Sequence, residues 1–502
     1  MCLRNDGVPA LLLLSRCHAW SFRHSLQSQK QHHDFFAVGA LSQVPSIYLI
    51  CSIKTSDSIF LPETCCRNMT ICGGSPRLVV RYIYGFIFLI TSIMAWVLRD
   101  YSHNALSHFH YLKGCEGGHD CLGSEGVLRV SLGCFVFFMI MYLTTVGTQK
   151  TSDPRDPWHS GWWFIKILLW IVLMITPFFI PSTFVQLYGE VARIGAGVFL
   201  IIQVVSVINF IFLWNEDWLS EKKFRRCYIP TIVITGLSYS GALGGIVLMY
   251  MWFTPQISCG LNIFFVTFTL ILLQLMTGIS LHSKVNAGLL TSGLMALYIV
   301  FLCWSAIMSE PSTEKCNTRP RQTGRGDWVT VISFMLAVLV LVVATTTTGT
   351  DSDCFSFKGD KPKAEDDVPY GYGFFHFVFA TGAMYFAMLF VGWNLHQTMT
   401  KWSVDVGWAS VWVKMASEWV AAALYIWTMI GPLLLRNRDF SSSVLIVVSV
   451  LCDYQVFSLV LERRIWPVAV KQRLLLEPLH PLHYRALVKF IHKYVYIYMM
   501  GC

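Results

Sequence analysis

Ten apolar stretches of roughly membrane-spanning length follow one another between Leu78 and Leu435, joined mostly by short loops. They fall at 78–98, 127–147, 162–182, 189–214, 229–253, 261–282, 287–308, 328–348, 373–393 and 411–435. A span needs about 20 mostly apolar residues, and a soluble core has no use for ten in series. The expected fold is therefore all-α: a polytopic transmembrane helical protein of about ten spans.

The composition agrees. Of the residues, 55% are hydrophobic and 13% charged, against about 25% charged in a soluble domain, which leaves too little polar surface for a water-exposed globule. The net charge of +9 sits in loops and tails, where it orients the chain and meets anionic headgroups. Basic residues are dispersed rather than gathered on one face, so no nucleic-acid partner is expected.

Loop charge sets the expected topology. With the N-terminus cytoplasmic, the internal cytoplasmic loops and the stub after the tenth span hold twelve Lys and Arg, including Lys222, Lys223, Arg225 and Arg226, and the opposite side holds seven. The bias places both ends in the cytoplasm, against the cluster at Arg319–Arg325. Cys115, Cys121, Cys259 and Cys316 then all face the lumen or exterior, where disulfides persist. Four cysteines allow three pairings; Cys115 with Cys121 and Cys259 with Cys316 is the arrangement expected, and four free thiols are the alternative.

Three regions follow: an N-terminal extension at 1–77, the transmembrane domain at 78–440 and a C-terminal extension at 441–502. Leu11–Leu14 is too short for a span, and no secretory signal is expected. Cys65, Cys66 and Cys72 are juxtamembrane, open to either palmitoylation or a structural role. The sequon at Asn68 falls on the cytoplasmic side and is expected to go unused. The segment 441–461 is apolar but carries Asp453 near its middle, costing about 2.5–3.5 kcal/mol at a helix centre, so it is expected to be interfacial. The charged run in 349–372 is expected to be a cytoplasmic loop.

The fourth stretch stands out. Its 26 residues reach about 39 Å at 1.5 Å per residue, against about 30 Å of hydrocarbon, so the helix should tilt or emerge. Glu190 and Arg193 near its start lie on the opposite face from Gln203, Ser206 and Asn209, so no single polar stripe lines a pore.

Ionisable residues within spans are the default candidates for function. Arg81, Arg129, Lys166 and Lys414 lie within about a turn of a span end, where long stems snorkel to headgroups; contacts with lipid phosphates or with buried carboxylates are the alternative. Glu418 follows Lys414 by four residues and is expected to pair with it on one helical face. The tryptophans near span ends, among them Trp158, Trp162, Trp214, Trp218 and Trp393, suit interfacial belts. Gly241 and Gly245 permit close packing of the fifth span. The sequence lacks a P-loop, a His-Glu-x-x-His zinc motif and a Gly-x-Ser-x-Gly elbow, so no enzyme, cofactor or metal is expected. His103, His108, His110 and His119 read as surface histidines of a loop rather than ligands.

Seven strings in order resemble the serine incorporator family of multi-pass membrane proteins (the TMS/TDE group). They are Ser152-Asp-Pro-Arg155 with His159-x-Gly161-x-Trp163-x-x-Lys166; Phe179-Ile-Pro181; Trp214-Asn-Glu-Asp-Trp218; Trp304-Ser-Ala306 with Glu310-Pro311; Tyr370-Gly-Tyr-Gly-Phe-Phe-His-Phe377; Val411-Trp-Val-Lys414; and Asn437-Arg-Asp-Phe440. The resemblance spans about 78–440, and Asp-Val-Gly-Trp at 405–408 looks like plant members. Both extensions depart from the family pattern.

The resemblance implies ten helices in two bundles around a long tilted helix, residence in endomembranes or the plasma membrane, and a role in lipid handling. That role is passive movement of phospholipids between leaflets, support of serine incorporation into phosphatidylserine and sphingolipids, or both. The expected partners are membrane lipids and, for the second role, lipid-synthesis enzymes. Arg129, Lys166 and Lys414 are the expected headgroup contacts, with Asn215 and Glu216 fixing the end of the fourth span. The alternatives are a secondary transporter of serine or another small polar solute, and a scaffold for biosynthetic enzymes.

Overall fold

Each of the ten apolar stretches carries a helix in the computed structural model, which describes residues 76–101, 121–219, 224–254, 256, 259–285, 287–311, 316, 328–352, 366–395 and 404–434. The chain divides into two units, Met1–Val448 and Ser449–Cys502, and all described residues belong to the first. Cys65, Cys66, Cys72, Asn68, Cys115, the histidines of 102–120, most of the charged loop in 349–372, and 441–502 lie outside the described residues.

In chain order the helices are α1 (Pro76–Tyr101), α2 (Cys121–Thr145), α3 (Arg155–Ser160), α4 (Trp163–Ile175), α5 (Ser182–Leu219), α6 (Phe224–Phe253), α7 (Gly260–Leu281), α8 (Leu289–Met308), α9 (Trp328–Thr350), α10 (Tyr372–Val391) and α11 (Trp408–Leu434). Seven of the described helices are long and apolar enough to cross a membrane by length and composition: α1, α2, α5, α6, α7, α8 and α10. Helix α4 is shorter because Pro177 opens a 3-10 turn at Thr176–Phe179 and a proline cannot continue an α-helical ladder. Helix α11 carries Lys414 and Glu418 in its first half.

Which helices pack together divides the molecule. Helices α1, α2, α4, α9 and α10 form one bundle, and α6, α7, α8 and α11 form the other. Helix α5 touches α2, α9 and α10 of the first bundle and α6, α8 and α11 of the second. Its 38 residues span about 57 Å at 1.5 Å per residue, longer than the apolar stretch alone indicated. The helix runs past the apolar boundary through Asn215, Glu216 and Asp217, because hydropathy marks where lipid ends and not where backbone hydrogen bonding ends.

Small residues let α5 sit this deep. Gly189, Ala192, Gly195 and Ala196 line its packed side, and a Cβ on Gly195 would overlap the Met384 sulfur of α10. Gly241 and Gly245 of α6 do the same against α8, where added Cβ atoms would meet Leu297 at 3.3 Å and Val300 at 2.9 Å. The opposite surfaces are apolar and exposed, as a lipid-facing surface must be: Phe164, Leu168 and Val172 on α4, and Ile229, Ile232 and Leu237 on α6.

At one end of the bundles the α2–α3 connection lies beside the segment entering α10. Thr151 donates to Asp366 O at 2.8 Å and Val368 to Gln149 O at 3.1 Å. Arg155 braces the same turn through Asp153 at 3.0 Å and Val146 O at 2.6 Å, and its hydrogen bonds hold the half-buried Asp153 carboxyl below the usual carboxylate range. At the opposite end a disulfide joins Cys259, just before α7, to Cys316 in the α8–α9 connection. It bridges a sequence separation of 57, and closing a loop of that size stabilises by about 4 kcal/mol in the chain-entropy account. Cys316→Ser is expected to lower the thermal midpoint of the detergent-solubilised protein by several degrees, with wild type matching it after reduction. An unchanged midpoint would show that the bridge adds nothing to stability.

Candidate functional site

Several polar assemblies lie among the apolar helices of the described residues, and three of them bear on function. The first lies on α5. Phe184, Leu187, Val191 and Ile194 expose one flank of this helix, at 65, 61, 48 and 50%. Glu190 and Arg193 border that flank and pair at 2.8 Å, with side chains 38% and 18% exposed. Gln203 and Ser206 lie about three to four turns beyond Arg193 and are buried; the Ser206 hydroxyl bonds the Asp351 carboxylate. A charged pair open to an apolar flank is costly in lipid.

The second assembly sits where α5, α8, α10 and α11 meet, at the junction of the two bundles. Lys414 Nζ pairs with Asp405 Oδ2 at 2.6 Å and donates to Ser309 Oγ at 2.7 Å. Beside the pair lies a narrow cleft, lined by Gln203, Tyr298, Ser305 and Trp393 among others. Sharp turns shape it. Trp393 and Asp405 have φ of 61° and 56°, left-handed values that non-glycine residues rarely adopt. Gly392, at φ 63°, closes α10 by donating to Met388 O, the usual left-handed helix terminator.

The third assembly brings two distant sequence motifs together. The His159 ring stacks on Tyr372 at 3.8 Å between centroids. Its Nδ1 meets His376 Nε2 at 3.0 Å and its Nε2 meets Tyr370 Oη at 3.1 Å. Tyr372 donates to Asp156 at 2.7 Å. The His159 carbonyl accepts from Lys166 Nζ at 2.9 Å and from Tyr84 Oη at 3.0 Å. The Lys166 ammonium also lies 4.5 Å from the centre of the Trp163 ring, where the ring quadrupole attracts it.

Burial, and after it the Lys166 ammonium, pushes the His159 imidazole down to about 3. An unfolded histidine titrates near 6.5, so between those values the unfolded chain holds a proton that the folded protein lacks. Stability from this group is complete above pH 6.5 and is lost as pH falls toward 3. The slope is about 1.4 kcal/mol per pH unit, or about 2 kcal/mol between pH 6.5 and 5. Thermal unfolding in detergent should show this loss in wild type and a flatter profile in His159→Gln; parallel profiles would contradict the assignment.

The structure reassigns several of the cations singled out from sequence. Arg129 does not snorkel: it is fully buried, pairs with Glu125 at 2.5 Å and donates to the carbonyls of Pro177 and Ile180. Lys166 is also fully buried. In both cases a neighbouring element, the α4–α5 turn or the α3 helix, covers the end that a single-helix view leaves open to headgroups. Lys414 turns to Asp405 rather than Glu418. The connection into α11 carries Asp405 up to the ammonium, while Glu418 accepts from Thr269 at 2.8 Å and its Oε2 is buried without a partner.

Asn215 and Glu216 lie within the last turns of α5, Glu216 exposed and Asn215 with a buried, unpartnered Oδ1. Trp214, Trp218 and Trp393 are buried in the protein and do not form an interfacial belt. Cys259 and Cys316 are bonded to each other, whereas Cys115 and the Cys121 side chain lie outside the described residues. Asp405 was missed as a site residue, although the Asp-Val-Gly-Trp string that contains it was visible.

These features define a multi-pass helical membrane protein with charged groups at the seam between two bundles. The serine incorporator family model, described as "Serine incorporator (Serinc)", matches residues 58–366 and 358–438. The chain belongs to the serine incorporator family. It is 27% identical to serine incorporator 3 of Bos taurus, over 75% of this chain and 94% of the relative. It is 32% identical to a probable serine incorporator of Dictyostelium discoideum, over 71% of this chain and 94% of the relative, and 26% identical to serine incorporator 2 of Homo sapiens, over 78% and 98%.

Proposed function

We propose that this protein lets phospholipids pass passively between leaflets along the flank of α5, with both chain ends in the cytoplasm, and so supports the use of serine in lipid synthesis. The observation that carries this reading is the Glu190–Arg193 pair, part-exposed beside Phe184, Leu187, Val191 and Ile194 on α5, which packs against both bundles. A headgroup crossing hydrocarbon needs polar partners on the way, and its acyl chains need an apolar surface beside them. The pair and its flank offer both. Membrane lipids are the partners in this account, and enzymes that make serine lipids would draw on the lipid it moves.

Replacing both Glu190 and Arg193 with leucine removes the polar step and leaves net charge unchanged. Exchange of a fluorescent phospholipid between leaflets should then slow at least about tenfold, as expected when a stabilisation of about 1.4 kcal/mol or more is lost at the barrier. Folding should be unimpaired, since an apolar residue at a lipid-facing position is favourable. An unchanged exchange rate in the folded double variant would remove the pair from the path.

A further inference from the structure

We propose that the second bundle passes protons, with Glu418 as the group that carries them past its middle. The inference does not depend on lipid movement along α5, and it involves α7, α8 and α11 rather than that flank.

Glu418 has no exposure and lies in the interior of the 27-residue helix α11. Its Oε1 is 2.8 Å from the Thr269 hydroxyl of α7, and its Oε2 is buried without a partner. The Cys303 thiol of α8 lies beside it. An unpaired carboxylate buried in this way is costly, and taking up a proton removes the cost. The site can satisfy either form. The Thr269 hydroxyl has one proton and two acceptors in reach, Glu418 Oε1 and Phe265 O at 2.9 Å. It donates to Glu418 when the carboxyl is ionised. When an O–H bond forms on Glu418, the hydroxyl turns to Phe265 O and accepts from the new acid. Release breaks the same O–H bond, and the step needs no co-reactant besides water.

Polar groups continue on both sides of Glu418. Lys414 precedes it on α11 by about one turn and Tyr425 follows by about two, on one helical face. Toward one end, Lys414 meets Asp405 and the Ser309 hydroxyl. Toward the other, Tyr425 donates to Thr291 at 3.2 Å, and Tyr239 lies 2.9 Å from the Ser292 hydroxyl and 3.2 Å from that of Thr277. The groups facing Glu418 are Cys303 on α8, neutral Thr269 on α7 and, along its own helix, Lys414 with Asp405; α5 brings the neutral Gln203 to the Lys414 level. Lys414, one turn away, supplies the positive charge that steadies the carboxylate after the proton leaves. The buried Leu273, Met276 and Leu294 come between the two polar levels along α7 and α8, so water must enter for a proton to pass, and the rate is that of a slow carrier rather than an open pore. A proton is the ligand this site fits. A metal ion takes four or more ligands, and among the described residues no three His, Cys, Asp or Glu side chains come together to supply them.

The test is proton uptake by proteoliposomes of the full chain that hold a trapped pH-sensitive dye, driven by a potassium diffusion potential set with valinomycin. The interior should acidify faster than in protein-free vesicles. Glu418→Gln keeps the shape and the contact with Thr269 but carries no proton, and should reduce uptake to the protein-free rate. Its leaflet exchange, measured in the same vesicles, should equal that of wild type. The double variant Glu190→Leu with Arg193→Leu should keep full proton uptake, which separates this path from the α5 flank. Thr269→Val removes the hydroxyl that serves both forms of the carboxyl and should slow uptake severalfold, even if Glu418→Gln folds poorly. Uptake no faster than in protein-free vesicles with folded protein present, uptake unchanged in folded Glu418→Gln or Thr269→Val, or uptake lost in the folded double variant would each overturn the proposal.

Discussion

Arg129→Met should destabilise the protein by about 3–5 kcal/mol, the scale seen when one partner of a buried ion pair is removed. The guanidinium has no exposure and is the partner of Glu125 at 2.5 Å. It also holds the Ile180 carbonyl at 2.6 Å and the Pro177 carbonyl. Without it a carboxylate stays buried and the α4–α5 turn loses its anchor. Removing both charges with Glu125→Leu and Arg129→Met should recover part of the loss, because an apolar pair of similar volume replaces a buried ion pair at little net cost. Recovery should be incomplete, since two carbonyls still lack their donor. Thermal unfolding and the monodisperse yield in detergent measure both variants. A single variant with wild-type stability but slowed lipid exchange would return Arg129 to the headgroup contact expected from sequence.

Gly133→Leu should be comparably damaging, for a different reason. A Cβ at Gly133 of α2 would overlap the Leu173 carbonyl of α4, with Met174 Cε at 2.8 Å. Overpacking between side chains costs about 1–3 kcal/mol; here the obstacle is backbone, which cannot rotate aside, so a loss at or above the upper end is expected. Gly245→Ala supplies a milder case, since the atom met at 2.9 Å is Val300 Cγ1, which has some freedom to yield. Gly236→Ala supplies the control: nothing lies within 4 Å of its added Cβ, and alanine favours helix over glycine by up to about 1 kcal/mol. The expected order of midpoints is Gly236→Ala highest, then Gly245→Ala, then Gly133→Leu. A Gly133 variant as stable as wild type would mean that α2 and α4 do not approach this closely.

What was legible in the sequence follows from what each signal measures. Hydropathy located a helix in each of the ten apolar stretches, because a membrane segment must satisfy its backbone internally. It underestimated α5, whose Asn215-Glu-Asp217 end is polar yet still helical. Position along one span could not show what covers a side chain. Arg129 and Lys166 lie near span ends, as a snorkelling residue should, but the turn at Pro177–Ile180 caps one and the His159 carbonyl receives the other. The Lys414–Glu418 spacing permitted an intrahelical pair, and a residue outside the helix, Asp405, formed the closer one. The strings around His159 and Tyr370 were visible as motifs. Their contact across 211 positions belongs to tertiary structure, which a linear reading cannot supply.

Leaflet exchange in proteoliposomes tests the proposed lipid movement without energy input most directly. Full-length protein is reconstituted with a fluorescent phospholipid in both leaflets, with no nucleotide and no ion gradient, and dithionite is added outside. The account predicts quenching well beyond the outer-leaflet half, faster than in protein-free vesicles. Quenching that stops at half, with folded protein shown to be in the membrane, would contradict it.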